Sequence, residues 1–193
     1  MAEELTSLLR SGTAAVHAEI EALLYSGKLM GGTLSRSEFA HLLQIHLQFH
    51  LALERAIDRH KEVEVLLPVK TSKSEMLLKD LEATGQVPIR VESDRLSQLT
   101  VPQLIGALYV SEGSMLGGAV IARAIAKTQG LQDHKINFFG MYGKDLGPNW
   151  VIFCNKLNDR PNAEWPLILE GAHIAFNLYR ELYHTTTTIG IHG

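Results

Sequence analysis

Arg10, Thr13, His17 and Glu21 follow one another at spacings of three, four and four residues. On a helix that spacing lines them along one face. The set has the parts of a metal site with a single protein ligand. A ligating imidazole normally donates its other ring N–H to an acceptor, which fixes the tautomer and raises basicity. Glu21, one turn beyond His17, can accept that bond directly or through water. Arg10, two turns back, can meet a carboxylate on a bound ligand. The plainer alternative is a surface helix with an ordinary His–Glu pair, and an isolated His-x-x-x-Glu favours it.

A second anomaly is Ser111-Glu112-Gly113-Ser114-Met115-Leu116-Gly117-Gly118. Three glycines inside one helix cost roughly 1 kcal/mol each relative to alanine. Gly113 and Gly117 share a face, and Gly106 lies seven residues earlier on nearly the same one. A face without side chains lets a flat group lie against the backbone and lets the helix bend. Close helix packing or a simple kink is the alternative. Glu112 falls on the opposite stripe, among Leu104, Ile105, Leu108 and Met115. A buried carboxylate there must be paired or must shift its pKa. A structural hydrogen bond to a neighbouring helix is expected of it, not catalysis.

Three Glu-x-x-His pairs also stand out: Glu38/His41, Glu170/His173 and Glu181/His184. Each has the spacing found in carboxylate-bridged di-iron bundles, although two share the last helix. His46, His50 and Glu54 line one face, with the histidines expected to be core-facing or partly exposed. His134, His184 and His192 fall near helix ends or in the tail. Trp150 and Phe153 are expected in the core or along the edge of a ligand.

The elements that must position these residues are helical nearly throughout. Leu5, Leu8, Leu9, Val16, Ile20, Leu23 and Leu24 give the first helix its stripe. Ser35 and Glu38 form a capping box for a helix to about His60. Ser72 to Ala83 reads as a shorter helix closed by Gly85. Thr100 and Pro102 open a long helix to about Thr128. Pro148 opens another to about Leu157, and Asn162 the last, to about His184. No strand pair is convincing. The expectation is one all-α domain over residues 1–184, a bundle of about seven helices, with 185–193 a frayed tail.

Composition narrows the classes further. The 193 residues are 46% hydrophobic and 20% charged, which excludes a disordered chain. One cysteine, Cys154, excludes a disulfide framework or a cysteine-based metal cluster, and its apolar neighbours suit a small packed hydrophobe. A net charge of −3 gives no basic field for nucleic acid. No apolar run reads as a membrane span, and the acidic start Met1-Ala2-Glu3-Glu4 lacks the pattern of a signal peptide. A cytoplasmic location is expected.

Taken together, Leu9-Arg10-x-x-Thr13-x-x-x-His17-x-x-x-Glu21 resembles the proximal-helix motif of heme oxygenases. Tyr109-Val110-Ser111-Glu112-Gly113-Ser114-Met115-Leu116-Gly117-Gly118 is similar to the distal-helix motif of their bacterial members. Order and separation match as well, and the resemblance covers nearly the whole chain. It implies heme b held between the N-terminal helix and a glycine-kinked distal helix. Heme is then both cofactor and substrate, cleaved with dioxygen to biliverdin, carbon monoxide and ferrous iron. No reductase domain is visible, so electrons come from a partner such as a ferredoxin or a flavin reductase.

The resemblance also implies roles. His17 is the axial ligand of the iron, with Glu21 as its partner. Arg10 pairs with a propionate, and Thr13 and Gly118 belong to the cofactor-binding set. Gly113, Ser114 and Gly117 form the catalytic segment, its glycines leaving room for dioxygen. Ser114 stands where mammalian members carry an aspartate that organises water. Around Trp150 to Asn158 only Lys156 stands where those members have a Lys/Arg pair for propionates. Two other functions fit the same residues: a heme carrier or sensor without turnover, and a heme-oxygenase-like di-iron oxidase. A thiaminase-type enzyme, with Cys154 as nucleophile, is a weaker reading.

Overall fold

Ser35 accepts from the Glu38 amide while the Glu38 carboxylate accepts from the Ser35 amide, the capping box expected at that position. It starts α3, Arg36–Arg59, one of seven α-helices in the computed structural model, which describes residues 4–132, 134 and 136–190. The others are α1 Leu5–Leu23, α2 Ser26–Met30, α4 Lys73–Ala83, α5 Val101–Ile125, α6 Leu146–Asn158 and α7 Trp165–Gly190. Three short 3-10 turns, at Lys61–Leu66, Gly143–Asp145 and Asn162–Glu164, complete the described structure, and no strand occurs among the described residues. The all-α bundle expected from the helical periodicity is what forms.

α1, α3 and α5 all pack on α7. The α5–α7 crossing is the tightest. A methyl on Gly106 would overlap the Ile168 carbonyl, and one on Gly171 would overlap the Gln103 carbonyl. The two backbones touch because neither residue has a side chain. Gly106 therefore serves helix packing and is not part of an open face shared with Gly113.

The core falls into two clusters bridged by α3. Ile45, Phe49 and Leu53 pack with Leu104, Leu108, Phe176 and Tyr179, and with α1 through Leu5 and Leu9. Phe39, Leu43 and Leu47 pack with Leu77 and Leu81 of α4 and with Met115, Phe138 and Phe139. The segment after α5 is anchored by Asp80, whose carboxylate accepts from the Asn137 amide, the Asn137 side chain and the Phe138 amide at 2.7–2.9 Å.

One expectation needs correction. The tail does not fray at residue 185: α7 continues to Gly190, with Thr186 buried and 2.7 Å from His41 Nε2. His41 Nδ1 in turn lies 2.6 Å from the Tyr25 hydroxyl, so α3 clasps the last turns of α7. Residues 1–3 and 191–193, including His192, lie outside the described residues. α5 is long and apolar enough, by length and composition alone, to cross a bilayer. The bundle gives the reason, because 56% of its most apolar stretch is buried there.

Candidate functional site

α1 carries Arg10, His17 and Glu21 outward and buries Thr13. His17 and Glu21 are 53% and 60% exposed, with Nδ1 3.6 Å from the carboxylate. The other side of the imidazole meets Phe176 of α7 edge-on, ring centroids 5.7 Å apart. Thr13 is buried and spends its hydroxyl on the Leu9 carbonyl at 2.7 Å. Arg10 is exposed and has no ion-pair partner among the described residues. Glu19, between His17 and Glu21, is held by Arg180 through two bonds of 2.8 Å. These links fix the rotation of α1 against α7 and leave the His17 side chain about half exposed.

The glycines of α5 divide into two kinds. Gly118 is buried, and a methyl there would come within 2.9 Å of the Phe139 carbonyl oxygen. It is thus a packing glycine, turned away from the face on which the cofactor-binding set was expected to lie. A methyl on Gly117 would have nothing within 4 Å of it, and one on Gly113 would meet only the Trp150 ring, at 3.6 Å. The polypeptide itself requires glycine at neither position. Leu116 and Val120 beside them are 40% and 46% exposed, an apolar surface next to a bare stretch of backbone.

Ser114 donates to the Ser111 carbonyl at 2.8 Å. Its proton is committed, so its oxygen is free to accept. Tyr179 stands three residues along α7 from Phe176, and its hydroxyl is 3.2 Å from His46 Nδ1. Burial raises the Tyr179 pKa, against which Ser114 acts. α7 therefore offers Phe176 to His17 and Tyr179 to His46.

Behind α5 the interior is polar. Lys73 Nζ donates to Glu112 Oε1 at 2.5 Å and to Ser111 Oγ at 2.9 Å, and the Tyr142 hydroxyl donates to Glu112 Oε2 at 2.8 Å. Burial and the adjacent Glu112 push the Tyr142 hydroxyl pKa up. His50 and Glu54 share a cavity of about 370 Å³ with Lys73, Ser111 and Glu112. His46 and His50 are buried, not partly exposed. Burial lowers the His46 pKa to about 3, and burial, then Lys73 and His46, holds His50 well below its ordinary range.

The di-iron alternative finds no matching site. Glu38 pairs with Lys28, Glu170 accepts from Gln103, and Glu181 pairs with Arg95. No group of three or more His, Cys, Asp or Glu residues among those described is placed to hold a metal ion. Lys156, the one basic residue of its stretch, donates to the Val65 carbonyl at 2.6 Å. Sequence reasoning missed Lys73, Tyr142, Phe176 and Tyr179. All are distant in the chain from the residues they touch, and none has a local signature.

The heme oxygenase family model matches residues 3–185. Among solved structures, heme oxygenase-1 from the cyanobacterium Synechocystis sp. PCC6803, in complex with heme, is 19% identical. Its TM-score is 0.79, with 98% of this chain and 97% of that one covered. The NO- and CO-bound heme oxygenase of Neisseria meningitidis is 20% identical, with a TM-score of 0.78 and coverage of 96% and 92%. The heme oxygenase of Leptospira interrogans is 19% identical, with a TM-score of 0.76 and coverage of 94% and 98%. No curated protein sequence matches the chain. The fold is that of the heme oxygenases, and the chain belongs to the heme oxygenase family.

Proposed function

We propose that this protein binds heme between α1 and the Gly113–Gly117 face of α5 and cleaves it to biliverdin, carbon monoxide and ferrous iron. The observation that carries the reading is the pair of glycines that the polypeptide does not need. A methyl fits at both positions, yet the helix bears the cost of two glycines next to exposed Leu116 and Val120. A flat apolar ligand lying against that backbone accounts for them. On the other side, His17 offers the donor such a ligand requires, a half-exposed imidazole that suits heme iron.

When bound, heme supplies the iron that activates dioxygen and the ring that is cleaved. The chain supplies placement. His17 holds the iron from α1, with Phe176 against its edge and Glu21 close enough to accept its second N–H through water. Arg10, with no ion-pair partner among the described residues, pairs with a propionate. Gly113 and Gly117 leave room for a diatomic ligand and none for a side-chain ligand. Ser114, its proton committed to Ser111, accepts from a water and so aims that water's remaining proton. Electrons come from an external donor, a ferredoxin or a flavin reductase.

The test is a hemin titration of wild type and His17→Ala, followed by ascorbate or a ferredoxin system in air. A one-to-one Soret band altered in the variant, decaying to a biliverdin absorbance, is the expected result. A Soret band that survives reductant identifies a carrier or sensor. No Soret change overturns heme binding altogether.

A further inference from the structure

We propose that Glu112, gripped by Lys73 and Tyr142, is a positioning residue that sets where the Gly113–Gly117 backbone stands over the ligand pocket. This rests on the heme reading above. A glycine-rich stretch has no side chains with which to hold its own place, and it bends easily. Something outside the stretch must hold it if the space above the iron is to have a fixed height.

Glu112 directly precedes Gly113 and points to the opposite side of α5, where it is 3% exposed. Both carboxylate oxygens are occupied, and from different elements. Lys73, the first residue of α4, takes one, and Tyr142, from the segment between α5 and α6, takes the other. Lys73 also reaches Ser111, so one ammonium grips two successive residues of α5. Its own position is fixed from α3. Glu54 accepts from the Lys73 amide at 2.8 Å, the Ser74 amide at 3.0 Å and the Ser74 hydroxyl at 2.5 Å. A continuous line of bonds thus runs from α3 through the start of α4 to the residue before the first glycine.

A buried ion pair adds little net stability over an apolar pair of the same shape. Its retention beside the bendable segment fits a demand for fixed geometry. The charges are enclosed, the attraction is directional, and loss of either partner strands the other in the interior.

Two variants test this, each removing part of the grip with little change of shape: Glu112→Gln and Tyr142→Phe. In heme-free protein, amide hydrogen exchange at residues 113–118 is expected to be about tenfold faster than in wild type, with residues 104–110 unchanged. In the ferrous carbon monoxide complex, the C–O stretching frequency shifts in both variants, more in Glu112→Gln, while one-to-one heme binding is retained. Unchanged exchange at 113–118, or acceleration spread evenly over all helices, overturns the proposal whether or not heme binds. Faster local exchange with an unaltered C–O stretch overturns the link to the pocket. Failure of wild type to give a Soret band overturns the heme reading and with it the positional role, while the exchange data still decide whether Glu112 holds the segment.

Discussion

The ring of Phe176 stands against the imidazole of His17 with centroids 5.7 Å apart and planes at 87°. Phe176 is 5% exposed and fixed in the core, so its edge limits how the half-exposed imidazole can turn. Such a pair adds about 0.5–1.5 kcal/mol beyond the area buried. Phe176→Leu keeps most of the volume and loses the edge contact. Hemin affinity is expected to fall by up to about tenfold, measured by Soret titration. Unchanged affinity with an unchanged ferric spectrum counts against an orienting role.

The glycines of α5 and α7 separate by what surrounds them. Gly171→Ala forces a methyl into the Gln103 backbone, where no flexible side chain can yield. A loss of about 3 kcal/mol or more is expected from urea unfolding. Gly117→Ala meets nothing. In heme-free protein it is expected to leave stability unchanged or raise it by up to about 1 kcal/mol, while heme turnover falls. Equal destabilisation by both would place Gly117 among the packing glycines.

Asp80 holds the segment between α5 and α6 through three bonds to Asn137 and Phe138. It is 2% exposed, so its removal leaves three donors without a partner in the interior. Asp80→Ala is expected to cost about 3 kcal/mol and to loosen Phe138 and Phe139, read by thermal unfolding and by exchange at residues 136–142. An effect below about 1 kcal/mol shows the segment to be held by apolar packing alone.

Acid stability follows from the buried histidines. His46 has its pKa lowered from 6.5 to about 3, so between those values the unfolded chain takes up a proton that the native state refuses. Stability is full above pH 6.5 and falls as pH drops below it. The loss from His46 is about 3 kcal/mol by pH 4.5, with further loss from His50 and His41, shifted the same way by burial. Glu19 and Glu38, lowered by their Arg180 and Lys28 partners, weaken the fold only below about pH 4.5. His46→Phe is expected to reduce the slope between pH 6.5 and 4.5 in unfolding experiments. An identical slope in the variant shows that His46 titrates normally.

Local signals carried much of the architecture. Ser35 with Glu38, and Thr100 with Gln103 and Pro102, announce helix starts because the bonds they make are to their own neighbours. The glycines of α5 were visible as an anomaly, but their division was not. Gly106 and Gly118 are explained only by Ile168 and Phe139, which arrive from elsewhere in the chain. α2 was missed because it has five residues and begins after Tyr25, whose φ is 65°, a rare value for a residue with a side chain. The end of α7 was missed for a different reason. Thr185–Thr188 has poor intrinsic helix propensity, and what holds it is His41, more than 140 residues earlier.

Glu112 shows the same limit at the candidate site. Its place on an apolar stripe demanded a partner, and the structure supplies Lys73 and Tyr142. Nothing in the spacing of Lys73 or Tyr142 points to α5. Loops and turns of intervening chain decide the match, and those carry no periodicity to read.

The backbone contact between Gly106 and Gly171 has a mechanical consequence. It clamps α5 near its start against the longest helix of the bundle, at a point where neither helix can slide or tilt freely. Gly117 stands eleven residues beyond that clamp, about 16 Å along the helix axis. The crossing then acts as a fulcrum, and the glycine segment as the end of a lever. A tilt of a few degrees at the fulcrum moves the far end by about 1 Å. The clearance above the proposed heme is therefore governed in part by a residue in α7 that never touches the ligand.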